Sequence, residues 1–262
     1  MVLTAECKKE IKDLLRDKIV KKIDNYSSET EYKPFFQAIF NEKQIATASI
    51  IQSFYTSFGM SIYEQIAVII AKSKGFHAER QYVLEGEIDK DTEAVIRKIH
   101  HKLRQGELTA NLSEEIKKIK ASIKSGRALK DPDSVVDLYI KMHNEEHYYG
   151  ITTVKPNKEG FETHKRKLLR WIGLRLSQNK NAKIFVFTVV LYNPYYPEEY
   201  SRFGSSTLFD EKEFLAQEKF WDSIGGEGAF DELIEVCKEI VTDLTDKLPF
   251  RKLKKGLKEI GV

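Results

Sequence analysis

Ser134 to Trp171 reads SVVDLYIKMHNEEHYYGITTVKPNKEGFETHKRKLLRW, and this stretch decides the fold. Val135 to Met142 is rich in β-branched and aromatic residues, and so is His147 to Lys155. The polar run His143-Asn144-Glu145-Glu146 separates them, which predicts a β-hairpin. After Pro156-Asn157 the basic residues Lys165, Arg166, Lys167 and Arg170 alternate with apolar ones, and Glu162 to Leu176 reads as a helix. Asp137 lies near the start of the first strand and Lys155 ends the second. An acid and a lysine on antiparallel neighbours can meet over one sheet edge. A carboxylate there can hold a hard divalent cation, since Mg²⁺ is usually bound by one or two carboxylates plus substrate phosphates. Such a cation polarises a phosphate and acidifies a water, while the lysine stabilises developing charge. The competing reading is structural only, with Asp137 starting a strand and Lys155 a solvated strand end.

Outward from the hairpin, Lys183 to Tyr192 (KIFVFTVVLY) is a continuous apolar strand. Strand, helix and fully apolar strand in succession predict a parallel crossover. The fold class is therefore α/β, a central mixed β-sheet flanked by helices. Upstream, Gln81 to Ile88 reads as a first strand interrupted by Gly86. Asp89 or Asp91 caps a helix through Leu103, and Ser113 caps another through Lys124. Nearer the start, Thr4 caps a helix whose apolar face is Ile11, Leu14, Leu15, Ile19 and Ile23, broken at Asn25–Ser28. Pro34 opens a second helix, and Lys43 to Lys74 is helical, with Gly59 as a break and Gly75 as the stop. Downstream, Asn193-Pro-Tyr-Tyr-Pro197 and Tyr200-Ser-Arg-Phe-Gly204 form an aromatic loop. Helices at Glu211–Trp221 and Phe230–Leu248 then flank Gly225-Gly226. The expected organisation is one domain over residues 1–262: a helical N-terminal region (1–57), a core (58–248) and a basic tail (249–262).

Composition narrows the functional classes. The chain has 262 residues, enough to bury a substantial core. Its 43 basic and 40 acidic residues leave a net charge of only +3, so whole-chain charge demands no polyanionic partner and local clusters must carry that case. The two cysteines, Cys7 and Cys237, are far apart and have no metal-ligand spacing; the default compartment is a reducing cytoplasm. The N-terminus is studded with charge, and the apolar run Ile66–Ala71 is too short to span a bilayer, so no membrane partner is expected. No GxSxG, HExxH or Walker pattern is present.

Several residues outside the hairpin carry candidate chemistry. Glu64 stands amid residues that otherwise look buried, and buried carboxylates are uncommon unless paired or metal-bound. Its alternative is an exposed seam opposite Lys72. Arg97, Lys98, His100, His101, Lys102 and Arg104 make a basic cluster, either a solvated face or a phosphate-contacting patch. Arg202, Asn193 and the lysines after Pro156 are candidates for nucleic-acid contact, beside the reading that the tyrosines simply pack their loop.

An acid early in one strand and a lysine closing the next resembles the PD-(D/E)xK nuclease superfamily. The hairpin VVDLYIKM…YYGITTVKPN, the KRKLLRW helix, the LYNPYYP loop and the late FWDSIGGEGAFDELIEV resemble type II restriction endonucleases that cut at GGNCC. These blocks lie between Phe58 and Val241, and the first 50 residues add nothing to the likeness. The resemblance implies a restriction-endonuclease-like core, a homodimer on palindromic duplex DNA, Mg²⁺-dependent phosphodiester hydrolysis, and a cognate DNA methyltransferase encoded nearby. By position, Asp137 matches the metal-binding strand acid, Lys155 the lysine that activates water, and Glu64 the acid some such nucleases place on a preceding helix. The pattern departs at Thr153, where an Asp or Glu is usual two residues before the lysine. Aligning on TVKPN instead places Gly150 and Thr152 at the acid and lysine positions. The second metal carboxylate is then expected from Glu64 or Glu162, with Asp133 and Glu146 in reserve. Lys158, Lys165, Arg166, Lys167, Arg170, Asn193 and Arg202 are the expected DNA contacts. Two alternatives follow from the departure: a catalytically impaired DNA-binding protein on the same fold, or a structure-specific DNA repair nuclease.

Overall fold

The computed structural model describes residues 2–24, 34–41, 44–45, 48–49, 52, 60–124, 133–202 and 207–244. The expected breaks at Asn25–Ser28 and Gly59 and the basic tail lie outside them. The chain divides into two compact units, one of residues 1–66 with 231–262 and one of residues 67–230.

In the first unit, α1 (Ala5–Asp24) begins at the expected cap, with Thr4 Oγ1 accepting the Cys7 N–H at 3.1 Å. It buries Cys7, Ile11 and Leu15, and Leu3 is buried just ahead of it. α2 (Pro34–Ile39) opens at Pro34 as expected, and α3 spans Met60–Ser73, its residues from Ala67 on belonging to the second unit. Glu232 accepts the Val2 and Leu3 N–H groups at 2.6 and 3.0 Å and pairs with Lys8 at 2.8 Å. The Lys8 ammonium, with those two N–H groups, holds its carboxyl down at about 2.

The second unit is built on five strands lying in sequence order: β1 (His77–Val83), β2 (Val135–Met142), β3 (Glu145–Thr152), β4 (Lys183–Val190) and β5 (Phe214–Ala216). β1, β2 and β3 pair antiparallel; β3–β4 and β4–β5 pair parallel. The sheet is therefore mixed, as the apolar β4 predicts. The hairpin turns on His143-Asn144, with His143 at φ 57°, in the left-handed region. α4 (Lys90–Gln105) is capped by Asp89 and stopped by Gly106, and α5 (Leu112–Ser122) is capped by Asn111 rather than by Ser113. α6 (Lys158–Gln178) makes the crossover between the parallel strands β3 and β4, α7 covers Glu218–Gly225, and α8 covers Ala229–Leu244.

α6 extends beyond the expected Glu162–Leu176 at both ends and β3 starts at Glu145 rather than His147, and three further boundaries differ from the sequence reading, each for a physical reason. β1 lies about four residues early because its ladder with β2 pairs Ala78 with Ile140 and ends at Val83 with Val135. Gly86 follows the strand and brings backbone against backbone: a Cβ there would stand 2.3 Å from Leu174 O. β3 ends at Thr152, because the next carbonyls leave the sheet. Tyr200 Oη donates to Val154 O at 3.0 Å and Arg202 Nε to Pro156 O at 2.8 Å, so those groups need no strand partner. The expected helix Glu211–Trp221 is replaced by β5 and α7, since Thr188 N–H donates to Glu213 O and Gln217 N–H to Val190 O along the edge of β4.

One face of the sheet packs under α6. Tyr139 stacks on Tyr148 at 5.2 Å, and Arg175 reaches Glu146 with two bonds of 2.6 and 2.7 Å. The opposite face stacks Tyr149 on Phe187 at 4.8 Å, with Phe220 of α7 edge-on to Tyr149 at 5.6 Å.

α6 is held from its other side by charge. Lys165 has no exposed surface, and its ammonium lies 2.6 Å from Glu115 Oε2 and 2.7 Å from both oxygens of Glu213. Glu115 also accepts the Asn111 N–H, and Glu213 accepts the Asp210 N–H at 2.9 Å. Burial pushes the Glu213 carboxyl up to about 7 against the opposing pull of Lys165. Because its folded value lies above the ordinary one, the stability it contributes is complete below about pH 4.5 and disappears as pH rises through about 7. Urea unfolding of Glu213→Gln should lose that downward slope. Lys165→Ala leaves two buried carboxylates unpaired and should cost about 3–5 kcal/mol in the same assay.

Candidate functional site

The β2–β3 ladder runs from Met142 opposite Glu145 to Leu138 opposite Tyr149. One step further, Asp137 stands across from Gly150, and its Oδ2 accepts the Ile151 N–H at 2.8 Å. Since Tyr139 and Tyr148 face α6, alternation puts Asp137, Gly150 and Thr152 on that same face. α6 runs back over β3, Arg175 at Glu146, then Trp171 and His164 at Gly150.

Gly150 leaves a gap in this face, and α6 fills it. A Cβ at position 150 would lie 3.2 Å from both His164 Nδ1 and the Trp171 ring. Trp171 is fixed there by its own bond, Nε1 to Asp133 O at 2.8 Å. His164 Nδ1 is buried and has no hydrogen-bond partner. Burial, with Lys167 nearby, pushes the His164 imidazole down to about 4, so the ring is neutral at pH 7.

Past Thr152 the chain bends away, which changes the place of the expected acid-position and lysine pair. Thr153 and Lys155 are exposed and lie beyond the strand, not on it. The Lys155 ammonium stands 5.8 Å over the Tyr195 ring. Lys155, Thr152, Thr153, Asn157, Thr163 and His164 line one depression at the start of α6. An ammonium, three hydroxyls and the positive end of a 21-residue helix suit an anion such as a phosphate ester, with the Glu159 carboxylate on the same rim opposing it.

The other expected residues are distributed as follows. Glu64 is buried in α3, within the smaller unit. Glu162 pairs with Arg104 at 2.8 Å and lines an adjoining depression with His100, Lys158 and Arg166, which shares Glu159 and Thr163 with the first. The reserves are committed to arginines: Glu146 to Arg175, and Asp133 to Arg170 at 3.3 Å. Burial raises the Glu146 carboxyl, but Arg175 and Tyr148 outweigh it and hold the group below the ordinary range. Among the described residues no three His, Cys, Asp or Glu side chains form a group that could hold a metal ion. A divalent cation on this face would take one carboxylate, from Asp137, and fill its remaining positions with water and phosphate oxygens, which is within the habit of Mg²⁺.

The expected DNA contacts divide by exposure. Lys158 and Arg166 are exposed and Lys167 is half-buried. Lys165 cannot reach a phosphate, being wholly enclosed by Glu115 and Glu213. Arg170 is turned to Glu93 and Asp133. Arg202 donates to Pro156 O and to Tyr195 Oη, and Asn193 bonds the Tyr195 N–H and Glu198 O, so both brace the aromatic loop. The basic run on α4 is partly neutralised by the pairs Arg97–Glu93 and Arg104–Glu162.

Sequence reasoning missed His164, Gly150 as a packing position, and the buried charge cluster. Only the last had a readable signal. Lys165 falls on the stripe Phe161, Lys165, Leu168, Ile172, where every other member is apolar and buried.

Comparison with known proteins gives two findings. The profile of the family described as "Type II restriction endonuclease, HinfI" matches residues 3–241, and so includes α1 as well as the expected core. The chain is also similar to the type II restriction enzyme HgiCII of Herpetosiphon aurantiacus, with 26% identity over 243 residues, 86% of each chain. No described helix is long and apolar enough to cross a membrane.

The tight seating at position 150 is testable alone. Gly150→Val should destabilise by about 1–3 kcal/mol through overpacking against Trp171 and His164, read as a lower urea midpoint with unchanged slope.

Proposed function

The chain belongs to the HinfI family of type II restriction endonucleases, site-specific deoxyribonucleases of double-stranded DNA, and from that premise we propose Mg²⁺-dependent double-strand cleavage at a short palindrome, with GGNCC as the candidate site. The observation that carries the proposal is the opening of the β2–β3 ladder at Asp137, beside a lysine-bearing depression at the head of α6. Asp137 would hold the cation, which supplies charge neutralisation at the scissile phosphate and an acidified water. Lys155, exposed on its bend, stabilises negative charge developing on the phosphate. Lys158, Arg166 and Lys167 contact flanking phosphates, which orients the duplex without reading it. A palindromic site calls for a two-fold homodimer, one protomer per half-site. The host's own sites need a cognate methyltransferase, and the shared compartment is the cytoplasm.

One observation favours a second reading, DNA binding without cutting. The positions facing and following Asp137 on β3 are Gly150 and Thr152, neither of which carries charge. Digestion of a long linear DNA with Mg²⁺, against an EDTA control, decides between them. Discrete fragments support site-specific hydrolysis; tight binding with no cut at any divalent concentration supports the second reading; a smear at junctions or ends supports a structure-specific nuclease. Asp137→Asn and Lys155→Ala should each lower the cleavage rate by about 10²-fold or more with melting temperature unchanged. A Lys155→Ala protein cutting at the normal rate would remove Lys155 from the site.

A further inference from the structure

We propose that the depression between the end of α4 and the head of α6 seats a second phosphate of the bound DNA strand, with Arg104 as its contact residue. The inference rests on the DNA-cleaving reading above and specifies how the strand lies beyond the scissile phosphate. Three cations from two helices face this depression: Arg104 from the last turn of α4, and Lys158 and Arg166 from α6. Against them stand two carboxylates, Glu159 and Glu162. Lys158, Glu162 and Arg166 follow at i, i+4 and i+8, so they lie on one side of α6. Alone, that row alternates in sign and would hold an anion poorly. Arg104 changes the balance, because its Nε lies 2.8 Å from Glu162 Oε2 and answers that charge.

The pairing does not use up Arg104. A guanidinium offers five N–H donors in a fixed fork, and the terminal nitrogens of Arg104 have no partner among the described residues. The Glu162 side chain is 12% exposed and that of Arg104 45%, so the carboxylate lies in the floor and the arginine on the rim. An arginine oriented through Nε can give its remaining donors to a phosphate. His100 secures the floor: its Nε2 donates to Glu162 O at 2.8 Å, and burial holds the imidazole below its ordinary pKa, neutral at pH 7. The depression adjoins the one that holds Lys155, and the two share Glu159 and Thr163. Each DNA strand carries a phosphate about every 3.4 Å of duplex axis. Adjoining seats therefore suit neighbouring phosphates of one strand, with the Glu159 carboxylate keeping them to either side of it.

The test is salt-dependent binding of a short duplex by the full-length protein in EDTA, where no cutting competes. Log affinity falls linearly with log salt concentration, by about 0.9 for each phosphate neutralised. Arg104→Gln should make that slope shallower by about 0.9 per protomer and lower the low-salt affinity about tenfold. The loss should be equal on duplexes with and without GGNCC, because a phosphate contact reads no base. Arg97→Gln removes the same charge from α4 outside the depression, where Arg97 pairs with Glu93, and should leave the slope unchanged. If Arg104→Gln melts early, Arg104→Gln combined with Glu162→Gln leaves no carboxylate unpaired and carries the same expectation. A wild-type slope in these Arg104 variants overturns the inference. So does an equal loss in Arg97→Gln, which would make the effect one of overall charge. In either case a wild type that binds and cuts DNA keeps the hydrolytic reading standing. A wild type that binds no duplex removes both.

Discussion

The Lys165 ammonium sits where no water reaches, held by Glu115 and Glu213, and the placement of α6 depends on it. A buried lysine is tolerable only when its charge is answered, because an isolated ion in an apolar interior costs several kcal/mol even after relaxation. Here the answer comes from two different elements, α5 and the segment entering β5, so the cluster fixes α6 against both. The cost of burying three ionisable groups is offset by geometry: Asp210 accepts the Leu112 N–H and donates its own N–H to Glu213, closing the network around the ammonium. Its effect is positional. Lys165 turned one way leaves His164 turned the other, onto the sheet.

On the sheet side, the controlling feature is a ladder that stops. β2 and β3 pair regularly up to Leu138 and Tyr149, and then Asp137 takes the Ile151 N–H with its side chain. β3 meanwhile continues with β4 to Thr152 opposite Val190. A carboxylate thus lies at the point where two strands part company, on a face roofed by a helix N-terminus. The hairpin parts beside the depression at the positive end of α6, where the proposed cation and phosphate would meet. The aromatic loop completes it from outside, since Tyr200 and Arg202 secure the Val154 and Pro156 carbonyls and Tyr195 sits under the Lys155 ammonium.

Much of this fold is legible in the residues. β2 begins and ends where its β-branched run does, the crossover to the apolar β4 is parallel, and Asp89 and Gly106 bracket α4. What stays hidden is tertiary. The end of β3 depends on hydroxyl and guanidinium donors from some 46 residues downstream, and no local pattern announces that. β5 is three residues that earn their strand geometry only from the edge of β4. For the proposed site, Asp137 is singled out by its strand position, and Lys155 by its resemblance to a known pattern. The Thr153-x-Lys155 pairing misleads because it assumes the strand continues. Basic residues on α6 look equivalent in sequence, yet Lys158 and Arg166 are exposed while Lys165 and Arg170 are spent on acids. Charge type alone does not say which side of a helix faces water; the apolar stripe through Phe161, Leu168 and Ile172 does.

The central claim is that a divalent ion binds at the parting of β2 and β3. Anomalous diffraction at the manganese edge, from crystals of the protein with duplex DNA and Mn²⁺, addresses it directly. The account predicts a peak at bonding distance, about 2.0–2.6 Å, from the Asp137 carboxylate. An ion bound elsewhere, with Asp137 holding only the Ile151 N–H, would contradict it.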